Sequence, residues 1–94
     1  MELNYNRLSD AYSNRGIAYG NLENNKKAIE DYNQAIRIDS NYAHAYYNRA
    51  DINSKLGEKD KAIADDQKAA ELYQKQGSIR DYHKTLDKIK KLQQ

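Results

Sequence analysis

Small and apolar residues recur at intervals of three and four along most of this chain, with polar residues between them. That spacing lines one face of an α-helix. From Ser9 to Leu22 the stripe is Tyr12, Gly16, Tyr19 and Leu22, beside Ala11, Ile17 and Ala18. Glu23, Asn24 and Asn25 interrupt it. Asparagine accepts a left-handed backbone and is a good N-cap, so this triplet can end one helix and begin the next. Ala28, Ile29, Tyr32, Ala35, Ile36 and Ile38 form a second stripe, and Asp39, Ser40 and Asn41 read as a turn. A third helix is predicted roughly from Tyr42 to Leu56, with Gly57 as a left-handed cap. A fourth begins near Lys59 and carries Ala62, Ile63, Ala69, Ala70, Leu72 and Tyr73. Residues 71–76 are mostly good helix formers, so this helix should run about one turn beyond its counterpart, to Gly77. A last helix follows Ser78, whose spacing to Asp81 is that of a capping box. Ile79, Tyr82, Leu86, Ile89 and Leu92 lie on one of its faces, and Lys84, Asp87, Lys88, Lys90 and Lys91 on the other. The predicted fold class is all-α, with about five helices.

Two stretches of this pattern are copies of each other. Ser9–Tyr42 aligns without gaps on Ala43–Gln76. Ala11 and Tyr12 fall on Ala45 and Tyr46, Asn14 and Arg15 on Asn48 and Arg49, and Ala28 and Ile29 on Ala62 and Ile63, always 34 residues apart. A helix pair repeated at a fixed period cannot bury its apolar face alone and stacks on its neighbour. The expected division is a first repeat at 9–42, a second at 43–76 and a capping helix at 77–94 with a polar outer side. Residues 1–8 are either a short leader or the tail of a preceding helix.

Composition narrows the chemistry. The chain has 94 residues, 38% of them apolar and 32% charged, which allows one small domain with a thin core. It has nine Tyr and neither Phe nor Trp, so tyrosine does the aromatic packing and each buried hydroxyl needs a partner. The net charge of +2, with both signs mixed throughout, argues against nucleic-acid binding. The last helix is basic through Arg80, Lys84, Lys88, Lys90 and Lys91, but Asp81 and Asp87 dilute it, and a solvated cap face is expected. Cysteine is absent, which removes disulfides, thiolate nucleophiles and thiolate metal sites. His44 and His83 stand on different helices with no relay partner, and Asp65 and Asp66 point about 100° apart on a helix. The four glycines are isolated, so no phosphate-binding loop exists, and no calcium-loop spacing occurs. No catalytic residue, cofactor or metal is expected. No apolar run is long enough to span a membrane, the first residues lack the pattern of a signal peptide, and a cytoplasmic location is the expectation.

The positions shared by the two copies resemble a known family. Counting each copy from Ser9 or Ala43, an aromatic stands fourth (Tyr12, Tyr46), a small residue eighth (Gly16, Ala50), and alanine twentieth and twenty-seventh (Ala28 and Ala35, Ala62 and Ala69). The pattern resembles the tetratricopeptide repeat, a helix-turn-helix unit of 34 residues. The resemblance implies non-catalytic binding of a peptide or partner protein in a concave groove lined by the first helix of each repeat. Carried over, the groove positions are Asp10, Ser13, Asn14, Ile17, Gly20 and Asn21, then His44, Tyr47, Asn48, Asp51, Ser54 and Lys55. Asn14 and Asn48 are the strongest candidates, because an amide side chain can both donate to and accept from a peptide backbone. Tyr47 and Ile17 would supply apolar anchors.

The departures from the family pattern also carry expectations. Ser40 stands where the family has proline, and Glu23 replaces the hairpin glycine. The aromatic pair Tyr19 and Tyr32 becomes Asn53 and Asp66 in the second copy. Those two either bond each other or stand partly exposed, and partial exposure is the expectation. A carboxylate clamp lacks the basic pair that a third repeat would bring. Self-association is the alternative function, through an apolar edge near Leu3, Leu8, Tyr12 and Tyr32.

Overall fold

A computed structural model describes the backbone of residues 2–94 and the side chains of residues 7–94. It contains five helices: α1 (Glu2–Asn21), α2 (Asn25–Ile38), α3 (Ala43–Lys55), α4 (Lys59–Lys75) and α5 (Ile79–Leu92). Each packs on the helix before and after it, and α1 also touches α3. The backbone of residues 2–8 forms the first turns of α1. The side chains of Leu3 and Tyr5 lie outside the described residues.

Three of the four turns have one design. Glu23, Gly57 and Gly77 each take a left-handed backbone, at φ 63, 79 and 76°. The next amide then reaches back to close the preceding helix: Asn24 to Tyr19 O, Glu58 to Asn53 O and Ser78 to Tyr73 O, at 2.8, 2.8 and 2.9 Å. The left-handed residue of the first turn is thus Glu23, and Asn24 instead caps α2, accepting from the Lys27 amide. The α2–α3 turn differs. There the Asp39 carboxylate accepts from the Asn41 amide, and Asp39 O from the Tyr42 amide, in the absence of proline.

Alanine makes the close helix crossings. Ala28, Ala35, Ala62 and Ala69 are all fully buried. Around them lie two clusters: Ala28, Tyr32 and Ile52 with Tyr19 and Ile29, and Ala43, Ala69, Leu72 and Tyr73 with Tyr46, Tyr47 and Tyr82. A methyl added to Gly16 would stand 2.7 Å from the Tyr32 ring. Glycine therefore admits a tyrosine in the first hairpin, whereas the second has Ala50 opposite the smaller Asp66.

Several expectations need correction. Asn53 and Asp66 are buried, not partly exposed, and they do not bond each other. Each has a separate partner on a neighbouring helix. Tyr32 is buried in the first hairpin and takes no part in an exposed edge. Leu22, Ile79 and Leu86 were expected in buried stripes and are exposed. In α5 the inward positions are Thr85 and Ile89, with Lys88 half-buried between them, so the helix is rotated relative to its apolar pattern. The charge of Asp66 explains this rotation, because its burial requires a cation from α5.

Candidate peptide-binding groove

The groove is built on α1 and α3, with α5 closing one end. Two adjoining cavities mark it. The first, of about 300 Å³, is lined by Ser13, Asn14, Ile17, Tyr42, His44, Tyr47, Asn48, Tyr73, Asp81 and Lys84. The second, of about 330 Å³, is lined by Ile17, Gly20, Asn21, Tyr32, Asn48, Asp51, Ile52, Ser54 and Lys55. Ile17 and Asn48 belong to both and form the saddle between them. Of the twelve groove positions named from sequence, Asp10 alone lines neither cavity; it accepts a hydrogen bond from the Tyr42 hydroxyl instead.

The individual side chains differ in how free they are. Asn14 is exposed. Asn48 is half-buried, and its Nδ2 donates to Ser13 Oγ at a long 3.5 Å, which tethers α3 to α1 weakly. Ser13 itself is buried and acts through Asn48. Ile17 is an exposed aliphatic side chain on the saddle. His44 stands edge-on to Tyr42 and Tyr73, and its Nδ1 lies 2.7 Å from the Tyr73 hydroxyl. Burial pushes the phenols of Tyr47, Tyr73 and Tyr42 up from their ordinary value, and for Tyr42 the bond to Asp10 adds to it. These tyrosines therefore stay protonated at neutral pH and keep their hydroxyl donors.

One lysine organises the end of the groove. Lys88 on α5 donates to Asp51 Oδ1 at 2.7 Å and to Tyr47 O at 3.0 Å, and its Nζ sits 3.3 Å from the centre of the Tyr47 ring. The same ammonium lies 3.0 Å from Asp66 Oδ1. Two groove residues and one buried carboxylate are thus fixed by a single cation. Neither Asp66 oxygen accepts a hydrogen bond among the described residues, so Lys88 meets Oδ1 as an ion pair alone. Desolvation outweighs the attraction of Lys88 and raises the Asp66 carboxyl to about 6, with Asp51 and Asp65 pushing the same way. Asp65 points elsewhere, as the helical angle requires. It takes two bonds from Arg49, at 2.9 and 2.7 Å, and one from Asn53 Nδ2 at 3.1 Å.

Tyr42, Tyr73, Asp81, Lys84 and Lys88 belong to the site but were not read from the sequence. Lys84 and Lys88 sit in a helix whose basic residues read as a solvated face. The repeat did hold a signal for Lys88. Asp66 occupies the place of the inward-facing Tyr32, and an inward carboxylate requires a cation. Among the described residues no three His, Asp or Glu side chains come together as a metal site, and no helix is long and apolar enough to cross a membrane.

Comparison with known proteins agrees with the repeat fold. One tetratricopeptide repeat profile matches residues 9–42 and a second matches residues 31–64. The chain belongs to the tetratricopeptide-repeat family. As such a chain it is built as a protein–protein interaction module. The second match begins within α2 and ends within α4, about a third of a repeat out of step with the α3–α4 hairpin. The chain is 37% identical over 71 residues to a DnaJ homolog subfamily C member 7 homolog of Dictyostelium discoideum, covering 76% of this chain but 13% of that protein. Among solved structures it is similar to MamA, with a TM-score of 0.64 and 26% identity, over 88% of this chain and 59% of that one. Each of these proteins therefore extends well beyond the region shared with this tetratricopeptide-repeat chain.

Proposed function

We propose that the two cavities on α1 and α3 bind one extended peptide segment of a partner protein. The observation that carries this reading is their continuity through Ile17 and Asn48. In this reading the exposed Asn14 amide and the weakly tethered Asn48 amide pair with the peptide backbone, which is independent of the peptide's side chains. Ile17 and Tyr47 give apolar anchors. Asp51 and Lys55 at one end, and His44 and Lys84 at the other, select side chains of the peptide. The walls are helical and held by internal bonds, so little is lost in ordering them on binding.

A random peptide library selected on the intact chain supplies the ligand for the test. Asn48→Ala should weaken the selected peptide by about 1–2 kcal/mol, one hydrogen bond's worth, with helix content unchanged. Selected peptides that bind Asn14→Ala/Asn48→Ala as tightly as the parent chain would contradict the reading.

A further inference from the structure

We propose that the outward face of α1 docks a second kind of partner: an amphipathic helix with the surface chemistry of α2. The two repeats provide the comparison. On α3, Ala45 and Ile52 are 0% and 3% exposed, and Ile52 lies against Ala28 and Tyr32 of α2. Their equivalents on α1, 34 residues earlier, are Ala11 and Ala18, and both are exposed. Together with Leu8, Arg15 and Leu22 they make a stripe at spacings of three and four, in which Leu8 is 48% and Leu22 77% exposed. Leu8, Ala11, Tyr12 and Arg15 also line a shallow cavity of about 280 Å³. None of these residues lines the groove cavities.

The arginines show what is missing. Arg15 grips Asp31 with its Nε and Nη2, at 2.9 and 2.8 Å, as Arg49 grips Asp65. Arg49 makes one bond more: its Nη1 donates to Asn33 Oδ1 of α2 at 2.9 Å. Among the described residues Arg15 has no counterpart to that acceptor, and its side chain is 59% exposed against 24% for Arg49. The α1 face thus lacks what α2 gives α3, an aliphatic surface with an amide acceptor opposite the guanidinium.

A second copy of this chain fits the face poorly. Two α1 stripes paired antiparallel about a two-fold axis place Arg15 against Arg15, the middle of each stripe. The exposed Ile79 and Leu86 of α5 are accompanied by Arg80, His83 and Lys90 and a single carboxylate, Asp87, so that patch is mainly basic opposite Arg15. The occupant is therefore a partner helix with small and aliphatic residues on one face and an amide or carboxylate in their midst.

The probe is a labelled peptide of the α2 sequence, Asn25–Ile38, held helical by a lactam between its exposed Lys26 and Glu30. Its anisotropy should saturate on titration with the full chain. Ala18→Glu in the chain should weaken binding by at least about tenfold, with the melting curve unchanged. Asn33→Leu in the peptide should weaken it too, whereas Asn48→Ala in the chain should leave it as it is. Absence of saturation at millimolar chain, or binding indifferent to Ala18→Glu, overturns the proposal. So does binding lost with Asn48→Ala, which would send the peptide to the groove. A peptide-free dimer that Ala18→Glu dissolves would give the face to a second copy and overturn it equally.

Discussion

Lys88 Nζ stands 3.0 Å from Asp66 Oδ1, and Asp66 is completely buried. This pair joins the last helix to the second hairpin, and the same lysine holds Asp51 and Tyr47 in the groove. The cap and the walls of the two cavities are therefore held together by one cation.

The pair has a pH signature. The folded-state value of Asp66, about 6, lies above its ordinary 3.8. Stability from this group is present in full below the unfolded value and is lost as pH rises through the folded one. Asp66→Asn stays neutral throughout. From pH 4 to pH 7 the variant should gain on the parent chain by on the order of 2–3 kcal/mol. Urea unfolding at a series of pH values measures the difference. A parent chain that instead gains on the variant over this range would show that Lys88 attraction outweighs desolvation.

Gly16 and Tyr32 form a fitted pair. Ala is the better helix former by about 1 kcal/mol, yet its methyl would meet the Tyr32 ring at 2.7 Å. Overpacking of this kind costs about 1–3 kcal/mol, so Gly16→Ala should lower stability on balance. Thermal melts of the two proteins decide it, and a raised midpoint would mean the ring moves aside freely.

Glu23 bears a backbone strain that its equivalents avoid. At φ 63° it occupies the site held by Gly57 and Gly77 in the later turns. Glu23→Gly should stabilise the chain by about 1 kcal/mol, because glycine enters the left-handed region without a Cβ clash. Chemical denaturation reads this directly, and a loss of stability would place the dominant effect in the unfolded chain.

Much of this fold was legible because helical periodicity and the 34-residue copy agree. The alanines at the crossings, the longer α4 and the glycine turns all follow from local rules. What escaped were relations between helices. Thr85 is buried and Leu86 is exposed because α5 turns to bring Lys88 onto Asp66, a charge requirement that an apolar pattern does not express. The groove was legible residue by residue, through Asn14, Ile17 and Asn48. Its closure by Lys84 and Asp81 was not, since the last helix departs from the repeat that gave the other positions. Leu22 fits the period of α1 but faces outward, because nothing among the described residues stacks on that side.

In the proposed complex a peptide lies along the saddle of Ile17 and Asn48, and backbone amide shift mapping of the labelled chain with a library-selected peptide locates it residue by residue. The largest shifts should fall on Asn14, Ile17, Tyr47, Asn48 and Asp51, with Lys61 and Ala64 on the other side of the second hairpin unmoved. Shifts centred on Lys61 and Ala64, with the saddle silent, would contradict the claim.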